Sequence, residues 1–108
     1  MEISPEETAR RLASGDLELI DVREPYEWEA GHVEAARHVP LERLAEVAPE
    51  LDRERSVAFV CRVGGRSYMA TQAFRQAGFE AYNVSGGMLA WERAGLPIAP
   101  EGGHVADH

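Results

Sequence analysis

"SVAFVCRVGGRSYMATQAFRQAG", residues 56–78, contains the pattern that decides the fold. Residues 56–61 form a continuous run of β-branched, aromatic and small apolar side chains, which is typical of a strand buried on both faces of a parallel sheet. A glycine-rich loop follows, and residues 67–77 have the amphipathic spacing of a helix that ends at Gly78. The stretch therefore predicts a strand, a loop and a helix in direct succession.

The same alternation continues on both sides of this stretch. Strands are predicted at residues 17–22 and 80–84, with a short extended piece at 36–39. Helices are predicted from Ser4 to Gly15, at residues 41–48 and at residues 87–94, and residues 24–32 are predicted to be a polar connection with one helical turn. In the first helix, Ser4 is expected to cap the N-terminus and Glu7 to reach back to it.

This order of elements predicts an α/β fold. We expect a single domain with a small central, mostly parallel sheet and helices on both faces. In such sheets ligands bind beyond the carboxyl ends of the strands, and Cys61 stands at the carboxyl end of the most apolar strand.

Composition excludes several classes of partner. The chain has 108 residues, with 11 basic and 19 acidic side chains and a net charge of −8, which argues against nucleic acid and against an anionic membrane surface. The single cysteine excludes an internal disulfide, and the acidic N-terminus lacks the apolar run of a signal peptide. No stretch is long enough to span a bilayer. We therefore expect a cytoplasmic protein with no nucleic-acid partner and no membrane partner.

The residues after Cys61 favour a reactive thiolate, which is the nucleophilic form of cysteine. The loop opens a helix whose free N–H groups and positive dipole end point towards the sulfur. Arg62 and Arg66 add positive charge, and Gly64 and Gly65 allow the backbone to turn its N–H groups inward as an anion-binding nest. The alternative is a buried cysteine that acts as a small hydrophobe. Two arginines beside an inert buried thiol would need partners of their own, so the reactive interpretation is favoured.

Three segments together resemble the rhodanese family, the thiosulfate sulfurtransferases and their single-domain relatives. "CRVGGRS" (residues 61–67) is similar to the family's active loop, and "LIDVREPYEWEAGHVEAARHVPL" (19–41) and "NVSGGMLAWERAGLPI" (83–98) are similar to its amino-terminal and carboxyl-terminal signatures. The resemblance extends from Ser4 to Pro97. The departures are Ala35 where the family usually has glycine, the pair Arg37-His38, and Val63 where some thiosulfate-using members carry lysine.

The resemblance implies a sulfurtransferase that moves a sulfane sulfur from thiosulfate to a thiol or cyanide through a persulfide on the catalytic Cys61. It implies substrate-binding residues along the loop, namely Arg62, Val63, Gly64, Gly65, Arg66 and Ser67. Asp21 and Arg23 are implied as supporting residues that brace the loop, with a surface ion pair as the alternative for Arg23. The implied partners are a small anionic sulfur donor and a thiol or protein acceptor, with no cofactor. The rhodanese-like domain is predicted over residues 1–100, with a flexible C-terminal tail over 101–108.

Three alternative functions are less well supported by the sequence. Cysteine phosphatases carry five residues between the cysteine and the arginine, whereas this loop carries four, which disfavours them. A non-catalytic rhodanese-fold interaction module or persulfide carrier is the main alternative, although interaction modules commonly lack the cysteine. A metal site at His104 and His108 has too few ligands. A structural hydrogen bond is favoured for His32 over a role as general base, and its exact role, like the roles of Trp28 and Tyr26, stays open. The physiological donor and acceptor and the oligomeric state also stay open.

Overall fold

Five strands and five α-helices alternate along residues 1–107, the part of the chain that the computed structural model describes. The strands are β1 (Glu2–Ile3), β2 (Leu17–Asp21), β3 (Arg37–His38), β4 (Ser56–Val60) and β5 (Ala81–Val84). The helices are α1 (Pro5–Ser14), α2 (Pro25–Ala30), α3 (Leu44–Val47), α4 (Gly65–Gln76) and α5 (Gly87–Arg93). Two 3-10 turns, Leu41–Arg43 and Ala48–Glu50, flank α3.

The strands form one sheet in the order β1-β5-β4-β2-β3, and every neighbouring pair is parallel. β4 lies at the centre with all five of its residues buried, as its apolar run predicts. Its register with β2 runs from Leu17 opposite Ser56 to Asp21 opposite Val60. The carboxyl ends of the two strands therefore meet at one edge of the sheet, where the chain continues into Cys61.

Each face of the sheet is covered by helices, which confirms the predicted fold class. On one face Phe59 of β4 packs against Phe74 of α4, with ring centroids 4.8 Å apart, and Phe74 packs on Phe79 at 5.0 Å. On the other face Ala58 and Val60 belong to a cluster with Met88 and Trp91 of α5. Because successive side chains of a strand point to opposite faces, the apolar run of β4 supplies both clusters.

At the two ends of α1, the predicted N-cap and C-terminal glycine are confirmed and the predicted capping box is not. Ser4 caps the helix by accepting the backbone N–H of Glu7 at 3.0 Å, and Gly15 ends it in the left-handed region at φ 82°. The expected return contact from the Glu7 side chain is wrong, because that carboxylate instead accepts from the Arg10 guanidinium at 2.9 Å. Residues three apart on a helix are neighbours, so the ion pair competes with the capping box.

Three elements differ from the sequence-based expectation. Residues 25–30 form a full six-residue helix rather than one turn. The single helix predicted at 41–48 is instead α3 between two 3-10 turns, and Pro49 lies in the second of them. The two-residue strand β1 was not predicted, since so short a segment has no periodicity to detect.

The residues after α5 run back along the body of the domain. His32 and Ala99 exchange two backbone hydrogen bonds of 2.8 Å as an isolated antiparallel bridge, and the His104 N–H donates to the Ala30 carbonyl at 2.9 Å. A Cβ on Gly31 would lie 2.4 Å from the His104 carbonyl oxygen, so glycine permits this close approach. The flexibility expected for residues 101–108 stays a prediction, and His108 lies outside the described residues.

Candidate active site

Cys61 follows directly after β4 and lies at the base of a hollow of about 210 Å³. Cys61 is 1% exposed, while Val63 on the rim is 56% exposed. The hollow is lined by Cys61, Arg62, Val63, Gly65 and Arg66. The structure therefore brings together, at the carboxyl end of the central strand, most of the loop residues that the sequence proposes.

The sulfur of Cys61 receives hydrogen bonds from the loop and from the first turn of α4. The backbone N–H of Gly64 donates to Sγ at 3.1 Å and that of Ser67 at 3.4 Å. The Ser67 Oγ lies 3.2 Å from the same sulfur. Ser67 is the third residue of α4, so the sulfur accepts a helix N–H that has no partner within the helix.

The conformation of Gly64 produces this arrangement. Gly64 adopts φ 116°, a region that glycine enters at little cost, and it stands immediately before the first residue of α4. The turn directs its own N–H at the sulfur and starts the helix within reach of the same atom. Donors that converge on one atom at a helix N-terminus favour negative charge there, which suits a thiolate or an anionic sulfur group.

Gly87, at the start of α5, shows why the third sequence signature contains adjacent glycines. The N–H groups of Met88 and Leu89 donate to the carbonyl oxygens of Cys61 at 2.8 Å and Arg62 at 3.1 Å. A Cβ on Gly87 would lie 2.5 Å from both of those oxygens, and its φ of 59° is in the left-handed region. The close approach of α5 to the loop therefore requires glycine at this position.

Arg66 forms an ion pair that sequence reasoning missed. Its two terminal nitrogens donate to the Glu27 carboxylate at 2.8 and 2.9 Å, and Glu27 is fully buried. The same carboxylate also accepts the backbone N–H of Glu24 at 3.0 Å and so caps α2. The one signal available in the sequence was the Glu24-x-x-Glu27 capping spacing, which says nothing about Arg66.

The charges in this pair stabilise one another. Burial raises the pKa of Glu27, but the hydrogen bonds from Arg66 and from the Glu24 backbone, together with the nearby arginine charges, outweigh burial and leave that pKa lowered. The hydrogen bond from Glu27 raises the pKa of Arg66, against the opposing effect of burial. Both groups therefore stay ionised, and the positive charge of Arg66 is largely balanced from within the protein.

Arg62 is less fully paired than Arg66. Its Nη2 lies 3.4 Å from the carboxylate of Asp107, which is itself fully exposed. Its Nε is buried and has no hydrogen-bond partner among residues 1–107. A buried guanidinium N–H without a partner is costly, so Arg62 has hydrogen-bonding capacity that the described residues leave unused.

Asp21, the last residue of β2, and Arg23, two residues after it, form a buried ion pair next to the end of β4. Arg23 Nη2 and Nε donate to the Asp21 carboxylate at 2.7 and 2.9 Å, and both side chains are fully buried, so the alternative of a surface pair is wrong. Arg23 Nη2 also donates to the Gly31 carbonyl at 2.8 Å. The pair thereby joins the end of β2 to the end of α2, the helix that carries the carboxylate partner of Arg66.

The ring of Trp28 is stacked with the rings of His32, at a centroid distance of 3.7 Å, and His38, at 4.9 Å. His32 Nδ1 lies 2.7 Å from the Trp28 carbonyl oxygen, so this nitrogen donates. That is the structural role the sequence favoured for His32 over a general base. Among residues 1–107 no group of three or more His, Cys, Asp or Glu side chains is positioned to hold a metal ion.

A family model for the rhodanese-like domain matches residues 4–94. The chain belongs to the rhodanese family. Over 104 residues it is 39% identical to a protein of Allochromatium vinosum named sulfurtransferase, with 94% of this chain and 97% of that one covered. The structure is also similar to the crystal structure of a rhodanese-related protein from Thermoplasma volcanium, with a TM-score of 0.83 and 28% sequence identity. The match covers 91% of this chain and 96% of that one.

A similar sequence occurs as part of a longer protein. Over 99 residues the chain is 39% identical to an HTH-type transcriptional regulator of Mycobacterium tuberculosis, covering 89% of this chain but only 43% of the regulator. No helix within residues 1–107 is long and apolar enough to cross a membrane.

Proposed function

We propose that this rhodanese domain is a sulfurtransferase in which Cys61 accepts a sulfane sulfur from thiosulfate and passes it to a thiol or to cyanide. The observation that carries the proposal is the set of donors around Cys61 Sγ at the base of an open hollow, with Gly64 N–H at 3.1 Å and Ser67 N–H at 3.4 Å. These donors would stabilise negative charge on the sulfur both before and after the transfer.

The reaction proceeds in two displacements. The Cys61 thiolate attacks the outer sulfur of thiosulfate, the bond between the two thiosulfate sulfurs breaks, and sulfite leaves with the electron pair. Cys61 then carries a persulfide anion. A thiolate or cyanide attacks the outer sulfur of this persulfide, and the electron pair of the sulfur–sulfur bond returns to Sγ. Charge is conserved in both steps, and no cofactor is needed.

Anion binding is assigned to the loop as a whole, with Arg62 as the leading cation. Its buried Nε lacks a partner among the described residues, whereas both terminal nitrogens of Arg66 are engaged by Glu27. Arg66 would contribute through its remaining N–H groups and by fixing the loop. Gly64, Gly65 and Val63 shape the hollow, and we propose that Asp21 and Arg23 support it from β2 through α2.

The partners that follow from this chemistry are a small anionic sulfur donor and a thiol-bearing small molecule or protein as acceptor. We propose that the protein works in the cytoplasm, where reduced thiols are available and a single unpaired cysteine stays reduced. Neither nucleic acid nor a membrane is required by the reaction.

An interaction or persulfide-carrier module is the second candidate function. The observation that favours it is the domain's presence as less than half of a transcriptional regulator. A carrier would accept sulfur but would not turn over with a small acceptor.

The formation of thiocyanate from thiosulfate and cyanide separates the two functions. We expect turnover by the wild-type protein and none by Cys61→Ser, because a serine hydroxyl in this loop lacks the acidity of a thiol. Circular dichroism of both proteins checks that the variant is folded. Thiocyanate formation by Cys61→Ser at the wild-type rate, or its absence from folded wild-type protein with a reduced thiol, would contradict the proposed enzyme.

A further inference from the structure

Asn83 on β5 contacts Gly64 and Ser67 of the active loop, and the function proposed above assigns it no role. The residue is 4% exposed. Its Nδ2 donates to the Gly64 carbonyl at 3.1 Å and to the Glu2 carboxylate at 3.2 Å, and its Oδ1 lies 2.6 Å from Ser67 Oγ. Turning the amide over would place Oδ1 against two oxygens that can only accept, so the neighbours fix its orientation.

This orientation determines where the Ser67 hydroxyl proton lies. A hydroxyl has one proton, and Asn83 Oδ1 can only accept, so the 2.6 Å contact requires Ser67 to donate to Asn83. Ser67 Oγ then presents a lone pair to Cys61 Sγ, 3.2 Å away. A protonated thiol suits this geometry because it can donate to Oγ. A thiolate does not suit it, because a thiolate can only accept and the single Ser67 hydroxyl proton is already donated to Asn83 Oδ1.

We propose that Asn83 is a positioning residue that keeps the Ser67 hydroxyl turned away from Cys61 until negative charge develops on the sulfur. The inference rests on the proposed sulfur transfer for its purpose, although the competition for one proton stands on the geometry alone. When an acceptor attacks the outer sulfur of the persulfide, the electron pair returns to Sγ. The Ser67 hydroxyl then rotates so that it donates to Sγ instead of to Asn83 Oδ1, and its proton stays bound to Oγ throughout.

The hydrogen bond from Ser67 to Sγ would lower the energy of the transition state for the second displacement. A hydrogen bond that forms only as Sγ becomes charged stabilises the transition state more than the ground state, which is what raises a rate. In the resting protein the same arrangement leaves Ser67 Oγ as an acceptor towards Sγ, 3.2 Å away. Asn83 thereby limits unwanted modification of a cysteine whose other neighbours, the N–H groups of Gly64 and Ser67, favour the charged form.

The test measures the ratio of thiolate to thiol at Cys61 from the ultraviolet absorbance of the thiolate, at one neutral pH and without any sulfur donor. We expect Asn83→Ala to raise this ratio about fivefold, the equivalent of releasing one ordinary hydrogen bond. In a Ser67→Ala background the same substitution should have no effect, whereas Ser67→Thr, which retains a hydroxyl, should restore the response. Arg62 and Arg66 are left unchanged in every protein.

Asn83→Asp is a further control that changes the charge. Its carboxylate retains an acceptor for Ser67 and adds a negative charge near Sγ, and because both effects disfavour the thiolate a rise in the ratio would contradict the proposal. Asn83→Ser, whose hydroxyl is too short to reach Ser67, is the second truncation if Asn83→Ala fails to fold by circular dichroism. An equal rise with and without Ser67, or no rise in either truncation, would overturn the proposal. Because no sulfur is transferred in this experiment, a failure of the proposed enzymatic function would leave its outcome unchanged.

Discussion

The substitution Glu27→Gln tests whether the buried ion pair behind the loop stabilises the domain. Gln keeps the size of the side chain and an oxygen for the Glu24 N–H, but it leaves the guanidinium of Arg66 opposite a neutral amide. Removing one partner of a fully buried pair typically costs about 3–5 kcal/mol. Because the side chain of Arg66 is 20% exposed and water can solvate it in part, we expect a smaller loss of about 2–3 kcal/mol in the free energy of unfolding.

Urea denaturation at neutral pH, followed by tryptophan fluorescence, measures this loss. The control is Glu7→Gln, which breaks the exposed pair between Glu7 and Arg10 on α1, and it should cause no resolvable change in the free energy of unfolding.

The pKa of Glu27 is lowered in the folded protein, so its contribution to stability depends on pH. That contribution is complete above the unfolded pKa of about 4.3 and is lost as the pH falls through the lower folded value. The difference between wild type and Glu27→Gln should therefore be constant near pH 7 and narrow in acid. A loss at pH 7 no larger than that of Glu7→Gln would refute this reasoning.

Two further predictions concern the contacts of the loop. Gly87→Ala introduces a Cβ 2.5 Å from the carbonyl oxygens of Cys61 and Arg62, so urea denaturation should show a loss of more than about 2 kcal/mol; Gly15→Ala, with positive φ but no atom within 4 Å, should lose only about 1 kcal/mol. Similar losses in the two variants would show that α5 can move away from the loop. In steady-state kinetics Arg62→Ala should raise the KM for thiosulfate about tenfold. Arg66→Ala should raise it by less when combined with Glu27→Gln, which avoids leaving an unpaired buried carboxylate beside the loop. A larger effect at Arg66 would contradict that ranking.

The sequence predicts those features that depend on neighbouring residues. The strand at Ser56–Val60, the cap at Ser4 and the end of α1 at Gly15 all come from local patterns, and the structure has each of them. The shortest strands and helices were predicted least well. β1 has two residues and α2 has six, so hydrophobic periodicity has too little length to act on.

The parts of the site that were missed depend on contacts between distant positions. Glu27 and Arg66 are 39 residues apart and Ser67 and Asn83 are 16 apart, and only the parallel order of the strands brings them together. Two arginines in a loop predict a strongly positive site when the sequence is considered alone. The fold pairs one of them, Arg66, with the buried Glu27 and leaves Arg62 less fully paired.

The most direct test of the central claim is the intact mass of the protein after incubation with thiosulfate alone. Because Cys61 is the only cysteine, a persulfide on it has no second thiol in the chain to resolve it and should persist. We expect the protein to gain the mass of one sulfur atom, to lose it on addition of cyanide or a small thiol, and never to gain it in Cys61→Ser. An unchanged mass after thiosulfate, with Cys61 shown to be free and reduced, would contradict sulfur transfer from this donor.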